Sequence, residues 1–178
     1  MSGFALFETA IGMCALAWGP QGLVGVQLPA DDGEPATRAR MRQRFPELRE
    51  GPPDQMAQRA ISAIQGLLQG VHDDLSHIEL DMRGVSEFHQ RIYAIARRIP
   101  PGQTRTYGEI AEELGDKSLS RAVGQAMGHN PFAPVVPCHR VLAAGNKPGG
   151  FSAGGGALTK LRMLDIEGAR PNGMASLF

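Results

Sequence analysis

The sequence predicts an α+β protein: a small N-terminal α/β domain with an antiparallel sheet, residues 1–84, then a mostly helical domain, residues 85–178, containing a helix-turn-helix. Three observations predict it. Apolar runs separated by glycine-rich turns crowd the first thirty residues. A single amphipathic helix pattern follows the break Gly51-Pro-Pro-Asp54. From Ser86 onward the apolar spacing turns helical.

Phe4–Thr9, Ile11–Trp18 and Leu23–Leu28 read as strands, the last two joined by the turn Gly19-Pro-Gln-Gly22. Residues 30–36 are polar and turn-rich, and Thr37–Phe45 reads as a basic, exposed helix. In the next helix Met56, Ala60, Ile61, Ile64, Leu67 and Leu68 share one face. Ile78, Leu80 and Met82 alternate with polar residues, as in a half-buried strand. Phe88, Ile92, Ile95 and Ile99 mark the inner face of a helix to Arg98, ended by Pro100-Pro101-Gly102. Thr106 and Glu109 form a capping box for a helix through Leu114, which stops at Gly115. A second short helix, Leu119–Gly128, completes the helix-turn-helix pattern. The last helix, Leu158–Glu167, ends at Gly168, a residue suited to the C′ position.

The formal net charge is zero, but the charge is divided. Residues 1–85 carry −4 and residues 86–178 carry +4, which hints at an anionic partner for the second half. The two cysteines, Cys14 and Cys138, exclude a disulfide scaffold and fit a reducing, cytoplasmic setting. The apolar N-terminus holds no Lys or Arg and is interrupted by Glu8, Gly12, Gly19 and Pro20. It reads as neither signal peptide nor membrane span.

Chemistry concentrates in Pro137-Cys138-His139-Arg140, within the string Asn130-Pro-Phe-Ala-Pro-Val-Val-Pro-Cys-His-Arg-Val141. A thiol is an effective nucleophile only as thiolate, with a free pKa of about 8.5, so a base must take its proton. His139 is adjacent, and its ring reaches the sulfur only by a particular backbone turn or through a water. Glu167 is the acid that would orient and charge-stabilise the imidazole. Taken alone, a Cys-His pair is more often a buried small side chain beside a surface histidine. The surrounding string singles this pair out.

From Tyr107 to Gly168 the chain resembles the O6-alkylguanine-DNA alkyltransferases, also called methylated-DNA–protein-cysteine methyltransferases. Five motifs carry the resemblance in order and spacing: Thr106-Tyr-Gly-Glu-Ile-Ala111, Ser120-Arg-Ala-Val-Gly-Gln-Ala-Met127, the 130–141 string, Gly150-Phe-Ser152 and Ile166-Glu-Gly168. The N-terminal part matches only as a general α/β unit. The resemblance implies a suicidal DNA-repair enzyme, active once per molecule and needing no cofactor. Its substrate would be O6-alkylguanine in double-stranded DNA, with O4-alkylthymine as a second lesion. The damaged base is flipped out through the minor groove, because its target atom cannot be attacked within the stack.

The implied roles fall residue by residue. Cys138 takes the alkyl group, assisted by His139 and Glu167, while Tyr107 helps rotate the nucleotide and protonate the leaving base. Arg121 is the finger that fills the gap in the duplex. Ser120, Ala122, Gly124 and Gln125 belong to the DNA-facing helix, whose small residues allow close approach to a narrow groove. Met127, Val141 and Phe151 wall the base pocket, Ser152 donates to the alkylated oxygen, and Asn130 ties the helix-turn-helix to the active-site loop. Phe151 stands where many members carry Tyr. The loop Ser152-Ala-Gly-Gly-Gly156 is about two residues longer than in the shortest members, and Lys160 matches a family lysine if that insertion precedes it.

A monomer is expected, with no membrane association. No metal is expected either, since Cys14, His72 and His77 are scattered. A lesion sensor without chemistry fits less well, because related proteins of that kind lack the cysteine. A cysteine hydrolase would leave the helix-turn-helix without a purpose. A transcriptional regulator would read the major groove poorly with so many small residues.

Overall fold

A computed structural model describes residues 1–171. β1 (Gly3–Thr9), β2 (Gly12–Gly19) and β3 (Gly22–Gln27) form an antiparallel meander in the order β1-β2-β3. Its register pairs Phe4 with Ala17 and Phe7 with Cys14, and a bulge interrupts the β2–β3 pairing at Ala17/Trp18. Both faces are buried, which explains runs too apolar to alternate. Ala5, Phe7, Cys14 and Leu16 join the main core with α2 (Gln55–Leu67). Phe4, Ala15 and Ala17 pack instead with Met41 of α1 (Glu34–Arg44).

Helix α1 departs from expectation in two ways. It starts at Glu34, within the stretch expected to be turns, because Pro35 suits a first helical turn. It also covers the second face of the sheet, with Thr37 and Met41 fully buried. The expected strand at 78–82 does not form. Only Leu80 bridges, to Leu23 at the β3 edge, through Leu23 N–H to Glu79 O (3.0 Å) and Asp81 N–H to Leu23 O (2.8 Å). The alternation does not carry over into burial, with Asp81 buried and Leu80 and Met82 half-buried, and Arg83 folds back onto Asp81 (2.7 Å) just past the bridge. Gly22 allows the close approach: a Cβ there would stand 2.7 Å from Glu79 O, and its φ is +126°.

The second half is built from α3 (Glu87–Arg97), β4 (Arg105–Thr106), α4 (Tyr107–Glu113), α5 (Ser120–Gly128), β5 (Val141–Leu142) and α6 (Ala157–Ile166). Ser86 caps α3 and Asp54 caps α2. The capping box on α4 is complete: Glu109 N–H donates to Thr106 Oγ1 (3.1 Å) and Thr106 N–H to Glu109 Oε1 (2.9 Å). A 3₁₀ turn, Lys117–Leu119, links α4 to α5. Tyr93, buried on α3, donates its hydroxyl to Ala126 O (2.8 Å) and so fixes α5 from behind. β4 and β5 pair in parallel, Arg105 with Val141 and Thr106 with Leu142. That short ladder places the start of α4 beside the exit of the cysteine turn.

One hydrophobic cluster runs through both halves, from Trp18 and Ile64 to Ile110, Cys138 and Met163. The β3 edge meets the cysteine loop directly, through Val26 N–H to Pro131 O (2.8 Å). Arg44 reinforces that seam, donating to Val26 O (2.9 Å) and Pro131 O (3.3 Å). Among the described residues no helix is long and apolar enough to cross a membrane.

Candidate active site

The loop 130–137 delivers the thiol. Asn130 stitches it together, accepting from Phe132 N–H (2.9 Å) and donating from Nδ2 to Val136 O (2.7 Å). Phe132, Val135 and Val136 anchor it in the core. Pro137 then leads into a 3₁₀ turn of Cys138, His139 and Arg140, all buried.

Glu167, one residue past α6, meets two members of that turn. Its Oε2 lies 2.8 Å from His139 Nε2 and 2.7 Å from Arg140 Nη2, and its Oε1 accepts from Arg140 Nε at 2.9 Å. Arg140 Nη1 also donates to Ile99 O (2.8 Å). Burial alone would raise the carboxyl, but His139 and Arg140 outweigh it and hold Glu167 down to about 2. Burial pushes the His139 imidazole below its ordinary value, so the ring is neutral at pH 7. With an ionised carboxylate on Nε2, the ring proton sits on Nε2. Nδ1 then presents a lone pair that meets no hydrogen-bonding group among the described residues.

Burial also pushes the Cys138 thiol up, opposed by the Asn130 side chain, the Lys160 ammonium and the backbone N–H groups of Cys138 and His139. Lys160 is 1% exposed and donates to Val141 O (2.8 Å). Its Nζ stands 5.9 Å from the ring centroids of both Tyr107 and Phe151. Burial lowers its pKa to about 8. The charge of this ammonium favours the thiolate form of Cys138. Cys14 has no such company: buried beside Thr9, its thiol is pushed up to about 12.

A surface groove of about 500 Å³ is lined by Tyr107, Ser120, Arg121, Gly124, Gln125, Gly128, Gly150, Phe151 and Ser152. It therefore gathers seven of the residues expected at the DNA and base sites. Arg121 and Gln125 are exposed at its rim, and Ser120 Oγ caps the preceding turn through Lys117 O (2.8 Å). Tyr107 lies against Gly124, where a Cβ would come 3.3 Å from its ring, so this glycine serves internal packing as well as a close approach. Burial and the neighbouring Cys138 raise the Tyr107 hydroxyl pKa, which keeps it protonated. Met127 and Val141 lie behind the groove in the core with Cys138. Ala122 is half-buried outside its lining, and Asn130 lines an adjoining pocket with Ser152.

Arg140 and Tyr93 escaped sequence reasoning. For Arg140 a signal existed, since an arginine inside an apolar turn needs a carboxylate, and Glu167 was already assigned nearby in function. The histidines of the N-terminal part have separate partners: His72 Nε2 lies 2.9 Å from the Glu167 carbonyl oxygen in the other half of the chain, and His77 Nε2 lies 3.1 Å from Asp73 Oδ2 four residues away.

A family model described as the 6-O-methylguanine DNA methyltransferase, DNA binding domain, matches residues 87–169. The methylated-DNA–protein-cysteine methyltransferase of Mycobacterium tuberculosis is 46% identical over 101 residues, 57% of this chain and 59% of that protein. A probable methylated-DNA–protein-cysteine methyltransferase of Acanthamoeba polyphaga mimivirus is 36% identical over 108 residues, 61% of this chain and 70% of that protein. The sequence match thus spans under two thirds of the mycobacterial relative's length. Structural similarity runs further. The crystal structure of M. tuberculosis O6-methylguanine methyltransferase superposes with a TM-score of 0.74 at 32% identity, covering 98% of this chain and 97% of that one. The M. tuberculosis protein in complex with DNA gives 0.76 at 31%, covering 93% and 92%. A relative 36% identical over 70% of its own length and a superposition at 32% identity over nearly the whole of both chains show that the chain belongs to the methylated-DNA–protein-cysteine methyltransferase family.

Proposed function

We propose that this protein repairs DNA by moving the alkyl group of O6-alkylguanine onto Cys138 Sγ, once per molecule. The observation that carries the reading is the buried thiol beside a neutral imidazole whose Nδ1 lone pair is free to accept a proton. A water between Sγ and Nδ1 passes the thiol proton to His139, and Glu167 stabilises the resulting imidazolium. The thiolate attacks the alkyl carbon in line. An S–C bond forms as the C–O6 bond breaks, and the departing guanine takes a proton from the Tyr107 hydroxyl.

The partner is double-stranded DNA, entered from the minor groove by α5. The lesion rotates into the groove walled by Tyr107, Phe151 and Ser152, and Arg121 fills the space it leaves. The planar, permanently charged guanidinium suits stacking in that gap. O4-alkylthymine would fit the same approach. Residues 1–84 serve as a supporting unit and 85–178 as the catalytic one. The protein works as a monomer in the cytoplasm, where a reducing environment keeps both thiols free.

The test is mass spectrometry after incubation with an oligonucleotide containing O6-methylguanine. One methyl mass is expected on the intact chain, on the peptide containing Cys138. Cys138→Ser abolishes transfer, because a hydroxyl is far less ionised than a thiol. A label on Cys14, or transfer by the serine variant, refutes the proposal.

A further inference from the structure

One wall of the groove, Gly150-Phe151-Ser152, is a thin strap. Ser152 lines the 500 Å³ groove on one side and a second pocket of about 350 Å³ on the other, shared with Arg40, Asn130 and Pro131. Side chains added to Gly150 would meet nothing within 4 Å. Phe151 packs against the core, with Lys160 Nζ 5.9 Å from its ring centroid, and the strap is otherwise fixed at its ends. At the near end Gly149 sits against Tyr107, where a Cβ would come 2.6 Å from the hydroxyl. At the far end Thr159 Oγ1 donates to Gly154 O, and the other supports come from the N-terminal half of the chain. Gly154 N–H donates to Pro29 O (2.9 Å) and Gly155 N–H to Asp31 Oδ1 (2.7 Å).

This docking is close. A Cβ on Gly154 would stand 2.7 Å from both Asp31 N and Pro29 O, and 2.8 Å from Ala30 C. The platform itself is fixed to the sheet through Thr37, which is fully buried. Its hydroxyl accepts from Ala30 N–H (3.2 Å) and faces Met13 O of β2 at 3.3 Å. A chain of fixed contacts thus runs from β2 through Thr37 and Asp31 to the pocket wall.

We infer that Asp31 is a positioning residue: by holding Gly155 it sets the width of the base pocket, and with it the size of alkyl group that Cys138 can accept. The inference rests on the alkyl-transfer reading above. Losing the far support lets the strap shift toward the second pocket. Methyl transfer then suffers from a loosened wall, whereas a bulky group gains room.

The experiment compares single-turnover transfer from duplexes carrying O6-methylguanine and O6-benzylguanine, at saturating DNA. Asp31→Ala should raise the benzyl-to-methyl rate ratio by roughly 3- to 10-fold. Asp31→Asn, whose amide oxygen accepts the same N–H, should keep the wild-type ratio. Gly154→Ala, which forces the strap off its platform, should shift the ratio in the same direction as Asp31→Ala. General destabilisation would lower both rates together and leave the ratio unmoved. Wild type that transfers both groups, with an unchanged ratio in Asp31→Ala or in Gly154→Ala, or with Asp31→Asn behaving like Asp31→Ala, overturns this inference alone. Wild type that transfers neither group overturns the alkyl-transfer reading and this inference with it.

Discussion

Arg140→Met is the most informative single change for the architecture of the site. The guanidinium is 1% exposed and makes three hydrogen bonds, two to Glu167 and one to Ile99 O. Methionine keeps much of the stem but strands a buried carboxylate and a buried carbonyl. Removing one partner of a buried ion pair costs about 3–5 kcal/mol. For a chain of this length each kcal/mol shifts Tm by about 2–4 °C, so a fall of roughly 6–20 °C is expected. The pH dependence sharpens the test. Glu167 is held down to about 2, below the ordinary glutamate value of 4.5. Its contribution to stability is therefore present above pH 4.5 and lost as pH falls toward 2. His139 is also held below its ordinary 6.5, so its contribution is present above that pH and is likewise lost on acidification. In Arg140→Met the Glu167 contribution shrinks. The gap in Tm between wild type and variant should be widest at neutral pH and narrow as pH falls from 4.5. Circular dichroism melts from pH 7 to pH 3 measure this. A variant melting within about 2 °C of wild type, or a gap constant across that pH range, refutes the reasoning.

Three further outcomes are expected. Arg121→Ala slows repair of duplex DNA much more than reaction with the free alkylated base, since only duplex needs a filled gap costing a few kcal/mol to open; full rescue by saturating duplex would reduce Arg121 to a phosphate contact. Lys160→Met removes the ammonium that favours the thiolate, so alkylation of Cys138 by iodoacetamide at pH 7 should slow by about tenfold per unit rise in thiol pKa. In wild type this support fades as pH rises through about 8, where Lys160 loses its proton, and equal rates for both proteins at pH 7 would discount it. Thr106→Ala breaks the capping box on α4 and should cost about 0.5–2 kcal/mol in urea denaturation, with Thr106→Ser restoring most of it.

The elements legible in the sequence are those fixed by local rules. The α4 capping box follows from two side chains next to the backbone they satisfy, and the three strands of the first sheet follow from apolar runs cut by glycine turns. The strand expected at 78–82 shows the limit of such rules. Its alternation does not even report burial, since Asp81 is buried while Leu80 and Met82 are half-buried, and a ladder also needs a neighbouring backbone to continue beyond Leu80. The role of α1 was hidden for a similar reason: two buried side chains in an otherwise polar helix give little periodic signal. At the site, the pairing of His139 with Glu167 was legible from residue type and motif. The sharing of that carboxylate with Arg140 was not, because the motif implies a partner for the imidazole and none for the guanidinium, which only the fold brings onto Glu167. The contact of Asp31 with Gly155 spans 124 residues and left no trace in spacing at all.

The single core that joins the two halves makes the reactive sulfur answerable to the whole molecule. Cys138 is 5% exposed and belongs to the same packed cluster as Trp18 and Ile64. If transfer proceeds as proposed, the alkyl group stays on that sulfur at the edge of the packed cluster, and overpacking of a core costs about 1–3 kcal/mol. A thioether is not reversed by any group in the site, so the burden is permanent. Each molecule would then carry a record of its own use as lost stability, and a partly reacted sample would melt as two populations, the spent one first.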